Sequence, residues 1–242
     1  KGATLSALRG SAYDWHGIPT LVTFDLSITM IDAAKVSEIL WDIRLACRLH
    51  SSGSLEPEIG TYVYVDDFSK AVDSFKKYAT EDKRIPLSVD LETIGLDPFK
   101  KATEETPAAR IVSVSLTYET GFADVYYVPE SGQIPEEVRL QLAWLCTSKT
   151  IKNQGANLKF DIVWLMHHWN IWITNQTFDT TIVGSLLDEN RHNSLNNHAK
   201  IYTSMGGYDD PLNRKYDKSR FDLIPKDDLL PYAGGDTDAC HR

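Results

Sequence analysis

Two periods run through this chain. Residues 61–65 (TYVYV), 86–93 (PLSVDLET), 109–119 (ARIVSVSLTYE), 122–129 (FADVYYVP) and 149–154 (KTIKNQ) are short runs bounded by Gly, Pro or polar clusters. Most are rich in Val, Ile, Tyr and Phe, and such runs predict strands. The TG pair after Glu119 predicts a hairpin between the third and fourth. Between strands the apolar spacing turns helical. In 66–82, Phe68, Val72, Phe75 and Tyr78 or Ala79 share one face. Residues 135–148 open with Pro and two acids, as helix starts do, and 157–169 carry a heavy apolar load. Residues 178–190 and 194–204 predict two more helices, and 226–242 a final one that the chain end cuts. Residues 204–222 show no period and read as a polar loop. Strands alternate with helices around one hairpin, which predicts an α/β layer with a mixed sheet.

The first 50 residues read as a separate small unit. GIPTLVTF predicts a strand, and 32–49 an amphipathic helix with Val36, Ile39, Leu40, Ile43 and Ala46 or Cys47 on its apolar face. Residues 51–60, rich in Ser, Gly, Pro and Glu, predict a linker. The expected organisation is a 1–50 appendage, a 51–60 linker and a 61–242 main domain.

Composition narrows the class. The chain has 242 residues, 42% hydrophobic and 24% charged, which suits a soluble globular protein. No apolar run approaches membrane-spanning length. Cys47, Cys146 and Cys240 are far apart, without metal-type spacing, which predicts a reducing, cytoplasmic setting. The chain opens at Lys1 without an initiator Met and reads as a processed or excised piece. The net charge of −9 is wrong for a non-specific nucleic-acid binder, unless bound metal or local patches reverse it.

The candidate chemistry starts inside the strand at 86–93. Asp90 and Glu92 are two apart, so on a strand they share a face. Two unpaired like charges near the interior are costly, and a divalent cation is the simplest offset. Asp161 lies in an apolar helix, and Asp236 in YAGGD shares a helix face with Tyr232 four residues before it. Four carboxylates on three elements suit two hard divalent cations, Mg²⁺ or Mn²⁺. Such a pair activates water and stabilises both oxygens of an in-line phosphoryl displacement. Tyr232 is too weak an acid to be the base near neutrality. It would aim the water by hydrogen bonding. Taken singly, each piece also has an ordinary reading: a surface acid pair, a helix cap, an i,i+4 hydrogen bond.

Together, VDLETIGLD, NLKFD and YAGGD resemble the three motifs of the DEDD 3′–5′ exonucleases, and the Tyr in the third matches the DEDDy branch. NQGANLKFDIVWL, FDTTIVGSLLDEN and HNSLNNHA resemble most the proofreading domain of family A DNA polymerases, of a phage-like kind. The resemblance covers about 60–242. It implies a ribonuclease-H-like fold with a mixed five-stranded sheet flanked by helices, a small N-terminal strand-helix appendage and a single-stranded DNA 3′ end as substrate. By the same resemblance, Asp90, Glu92, Asp161 and Asp236 would hold the metals and Tyr232 would orient water. Thr93, Leu96, Asn157 and Phe160 would meet the terminal nucleotides, Leu96 as an apolar contact against a base. A polymerase domain would follow Arg242 in the parent chain, working in the host cytoplasm if phage-encoded. Leu195-Asn196 departs from the Leu-Asp common in relatives, at a position that is no metal ligand there.

Residues 1–50 resemble the C-terminal end of a family 4 uracil-DNA glycosylase, where Tyr-His-Pro-Ser follows the strand. Here Phe24-Asp25-Leu26-Ser27 stands in that place. With its His gone, no glycosylase activity is expected, and the unit reads as a remnant or a truncated domain. Loop 204–222 has two readings. Arg214, Lys215, Lys218 and Arg220 suggest a lid or DNA contact, and Asp209, Asp210, Asp217 and Asp222 a balanced solvated loop. His167 and His168 read as helix-end cations rather than zinc ligands. Two rivals share the motifs: a stand-alone RNase D-like exoribonuclease, and an inactive exonuclease fold that only binds single strands or partners.

Overall fold

A computed structural model describes residues 4–104 and 106–242. Chain contacts divide it into two compact units, 1–58 with 184–207 and 59–183 with 208–242. The first three residues of the N-terminal unit lie outside the described residues.

In the smaller unit a short helix α1 (Leu5–Leu8) precedes strands β1 (Ala12–Trp15) and β2 (Ile18–Leu21) and the long helix α2 (Lys35–Ser52). The expected single strand is one arm of a hairpin. His16 and Gly17 form its two-residue turn, both at positive φ (55° and 82°), the geometry that matches strand twist. The buried face of α2 also differs from the expected stripe. Ile39, Trp41, Asp42 and Leu45 are buried, while Val36, Leu40 and Ile43 are exposed. A polar pair sets that face: buried Asp42 accepts from Arg9 Nε at 2.7 Å and from Thr23 Oγ1 at 2.6 Å. Residues 184–207, expected in the main domain, pack in this unit, where Gly206 lets the Trp41 ring approach so closely that a Cβ would sit 2.4 Å from it.

The larger unit is a six-stranded sheet between helices. Strands β3 (Thr61–Tyr64), β4 (Ile85–Ile94), β5 (Arg110–Glu119), β6 (Phe122–Tyr127), β7 (Ile151–Gly155) and β8 (Gln176–Asp179) lie in the order β3-β6-β5-β4-β7-β8. β5 pairs antiparallel with both β4 and β6, while β3, β7 and β8 add in parallel. β8 is a sixth strand beyond the five expected. It spans four residues, three of them exposed, too short to show a period. Helices α3 (Ser69–Tyr78), α4 (Glu136–Thr147), α5 (Leu158–Trp169), α6 (Thr180–Leu187), α7 (Leu195–Tyr202), α8 (Asp210–Lys215) and α9 (Lys226–His241) complete the chain; α6 crosses from one unit into the other.

The period of two in β4 and β5 sorts the sheet's faces. Leu87, Val89 and Leu91 of β4 and Val114 and Leu116 of β5 join the main core with Phe75, Leu142 and Trp164. The intervening positions are polar: Ser88, Asp90 and Glu92 on β4, and Ser113, Ser115 and Thr117 on β5. That polar face lies under α9. Thr117 Oγ1 bonds Thr237 Oγ1 at 2.9 Å, and Ser88 lies 3.4 Å from His241 Nδ1. α9 sits close to β3 because it carries Gly234, where a Cβ would meet the Tyr62 ring at 2.5 Å.

The expected polar loop 204–222 is folded. It holds α8 and a one-turn 3₁₀ helix, Phe221–Leu223. Leu212, Phe221 and Ile224 form a second core with Ile94, Val112 and Leu229, and Arg220 bridges to Ile94 of β4. The anchoring side chains are tertiary contacts, with no local period to announce them. Among the described residues no helix is long and apolar enough to cross a membrane.

Candidate active site

The polar face of β4 delivers two acids to one spot. Asp90 and Glu92 stand opposite Ser115 and Ser113 on β5, whose short side chains leave room above the strand. α9 brings Asp236 from the other side. One carboxylate oxygen from each of Asp90, Glu92 and Asp236 lies within 4.8 Å of the others. Asp161 on α5 lies outside that triad but repels all three members.

Burial raises the carboxyl pKa of Asp90, Glu92 and Asp161 well above the usual range, and repulsion among the acids adds to it. Backbone N–H groups of Asp161 itself and Leu91 pull Asp161 partly back. Asp236 is pushed up to about 6 by burial, against hydrogen bonds from the Tyr208 and Tyr232 hydroxyls and the charge of Lys218. Tyr232 is raised above its ordinary value, first by burial and then by Asp236, Glu92 and Asp90. It is a neutral donor and no base.

Two further side chains reach the same place. Lys218 Nζ donates to Tyr232 Oη at 2.9 Å and lies 4.4 Å from the centre of its ring. Buried Tyr208 donates to Asp236 Oδ1.

Residues 62–242 match the family model of 3′–5′ exonucleases of the DNA polymerase A type. The chain belongs to this exonuclease family. It is 29% identical over 201 residues to a DNA polymerase of Bacillus phage SP01, a match covering 74% of this chain and 22% of that protein. It is 34% identical over 103 residues to a DNA polymerase of Escherichia phage T5, covering 36% and 12%. The chain thus spans less than a quarter of the length of the phage polymerases it matches. In fold it resembles the RNase D–GMP complex of Trypanosoma brucei, with a TM-score of 0.53 at 14% identity over 74% of this chain and 54% of that one. The architecture is the ribonuclease-H-like one expected.

The acid cluster fits a hard divalent cation. Glu92 Oε1 and Asp161 Oδ1 are buried without a hydrogen-bond partner. An unpaired buried carboxylate oxygen is expensive, and oxygen-liganded cations satisfy it.

The other expected residues divide in two. Leu96 (87% exposed) follows Gly95, which turns the chain at φ 80°. Asn157 is exposed at the start of α5, itself at φ 61°. Both are open to solvent. Thr93 is buried, with Oγ1 on the Gly95 carbonyl at 2.8 Å. Phe160 packs against the Trp164 ring at 5.6 Å. The histidine pair meets aromatic rings: His167 lies against Phe99 and His168 stacks on Trp164.

Two site neighbours, Tyr208 and Asp179, escaped the sequence reading, as did the bond from Lys218 to Tyr232. Tyr208 and the contact made by Lys218 had no local signal. Asp179 did have one, an Asp just before a helix start. Its carboxylate accepts from the N–H groups of Asn157, Leu158 and Thr181 at 3.2, 2.9 and 2.9 Å. It thereby pins the first turns of α5 and α6, and with α5 the placement of Asp161.

Proposed function

We propose that this chain is the 3′–5′ proofreading exonuclease region of a phage-type DNA polymerase, hydrolysing the terminal phosphodiester of single-stranded DNA. The observation that carries the reading is the convergence of Asp90, Glu92 and Asp236, with Asp161 beside them and buried carboxylate oxygens left unbonded. Asp90, Glu92, Asp161 and Asp236 would hold two divalent cations, Mg²⁺ or Mn²⁺. Bound there, such ions lower the pKa of water and stabilise charge on phosphoryl oxygens. Tyr232 would aim the attacking water at phosphorus by accepting a hydrogen bond from it at the phenol oxygen, and its raised pKa keeps it from acting as the base. Leu96 and Asn157 line the approach of the strand end, where an apolar contact to a base is indifferent to sequence. The phage polymerase relatives support DNA as substrate, a polymerase domain in the same parent chain and the host cytoplasm as setting. The N-terminal unit takes no part in the chemistry. Phe24 to Ser27 supply no His, and the glycosylase resemblance fits a structural remnant.

The test is a 5′-labelled single-stranded DNA and a matching RNA, with Mn²⁺ or with chelator, beside Asp90→Ala. The expected result is a ladder shortening from the DNA 3′ end, absent with chelator or in the variant. Faster loss of RNA would replace DNA by RNA as the substrate. No metal-dependent cleavage of either strand would overturn the enzymatic reading and favour a binding module.

A further inference from the structure

Segment 208–224 grips α9 at two of its site residues, Tyr232 through Lys218 and Asp236 through Tyr208. The second grip is the more closely built. Tyr208 is only 6% exposed. Space for its ring is made by Gly235, where a Cβ would stand 2.5 Å from Tyr208 Cδ2 and 2.9 Å from Cε2. The ring is thus fitted against the backbone of the helix one residue before Asp236, and its hydroxyl donates to Asp236 Oδ1. Asp236 faces Asp90 and Glu92 from this clamped position.

A carboxylate on a helix surface has several rotamers, and binding a cation through it requires choosing one. A partner that has already made the choice removes that cost from binding. Hydrogen bonds to ligating carboxylates act in this way in metal sites generally. We propose that Tyr208 is a positioning residue of the cation site, its hydroxyl holding the Asp236 carboxylate in the orientation that faces Asp90 and Glu92. The inference rests on the proposed reading of Asp236 as a cation ligand. Tyr208 then acts through cation affinity alone, whereas Tyr232, which also hydrogen-bonds Asp236, acts on the attacking water as well.

The experiment measures Mn²⁺ binding by calorimetry, and the Mn²⁺ dependence of single-stranded DNA cleavage, in the wild type, Tyr208→Phe and Tyr232→Phe. Loss of an outer hydrogen bond to a ligand typically costs about 10–100-fold in metal affinity. Tyr208→Phe is expected to weaken Mn²⁺ binding by about tenfold or more and to recover wild-type turnover at saturating Mn²⁺. Tyr232→Phe, which also loses a hydrogen bond to Asp236, is expected to lower turnover even at saturating Mn²⁺. Phe keeps the buried ring, and thermal unfolding with chelator verifies that Tyr208→Phe is folded. Equal or tighter Mn²⁺ binding by folded Tyr208→Phe would overturn the inference. So would a turnover loss in that variant that saturating Mn²⁺ fails to restore. A wild type that binds Mn²⁺ but cleaves nothing would overturn the proposed function alone, and the binding comparison would still decide the role of Tyr208. A wild type that binds no Mn²⁺ would overturn both.

Discussion

Lys218 and Tyr232 meet at 2.9 Å, ammonium nitrogen to phenol oxygen. An ammonium has only donors, so the Tyr232 oxygen must accept, and its own proton is left for Asp236, whose carboxyl the Tyr232 hydroxyl stabilises. The pair therefore fixes which way the phenol points. Lys218→Met should remove a charge-assisted bond of about 1.5–3 kcal/mol, lowering turnover by roughly 10–100-fold with KM little changed. Lys218→Arg should retain most of the activity. Single-turnover cleavage of labelled single-stranded DNA measures both. In a Tyr232→Phe background, Lys218→Met should do little more, and additive losses would separate the two residues.

The acid cluster makes the metal-free protein sensitive to pH in an unusual direction. A carboxyl with a raised folded-state pKa binds more protons folded than unfolded between its two values, so stability falls as pH rises through that interval. For Asp236 the interval runs from 3.8 to about 6. For Asp90, Glu92 and Asp161 it likewise runs upward from their ordinary values, because burial and mutual repulsion raise them. Surface carboxyls with lowered values, Asp222 and Glu38 among them, act below their ordinary range and do not mask the effect. Thermal melts from about pH 4.5 to about pH 8 should show a midpoint that declines with chelator and flattens with Mn²⁺. A midpoint that climbs with pH in chelator would show that other groups govern stability.

The sequence made some of this legible and hid the rest for physical reasons. Asp90 and Glu92 could be read because a strand's period of two is local and strict. Asp161 and Asp236 could be read because they lie in helical runs with fixed spacing to Phe160 and Tyr232. β8 could not, because three of its four residues are exposed and it owes its existence to pairing with β7. The α2 face was misread because Asp42, a charged residue, is buried by Arg9 and Thr23 from far along the chain. Tyr208 was invisible for the same reason: its partner Asp236 is 28 residues away, and nothing in GGYDDPL marks a buried phenol.

Asp90→Asn should affect stability and activity in opposite directions. It removes one of four like charges that burial and mutual repulsion already disfavour. Each pK unit of relief at a neighbour is worth about 1.4 kcal/mol, so the metal-free variant should melt at or above the wild-type temperature near neutral pH. Losing a cation ligand forfeits several kcal/mol of transition-state stabilisation, which is about 10³-fold or more in rate. Melting with chelator and cleavage with Mn²⁺ test the two halves. A variant both inactive and markedly less stable without metal would mean that Asp90 is structural.

Phe221 distinguishes a buttress from a lid. A lid opens and closes, so its apolar contacts are few. Phe221 instead is buried in a second core with Ile94, Val112 and Leu229, and lies 5.8 Å from the Tyr232 ring, centre to centre. Segment 208–224 is thus held on the C-terminal end of β4 and the start of α9, the same elements that carry Glu92 and Tyr232. Phe221→Ala should cost about 3–5 kcal/mol of stability. Because the cavity would open beside Tyr232 and loosen Lys218, turnover should fall by roughly the amount lost in Lys218→Met, even well below the melting temperature. Urea unfolding and single-turnover cleavage give the two numbers. A lid would behave otherwise: Phe221→Ala would leave global stability within about 0.5 kcal/mol of wild type and alter substrate binding instead of turnover.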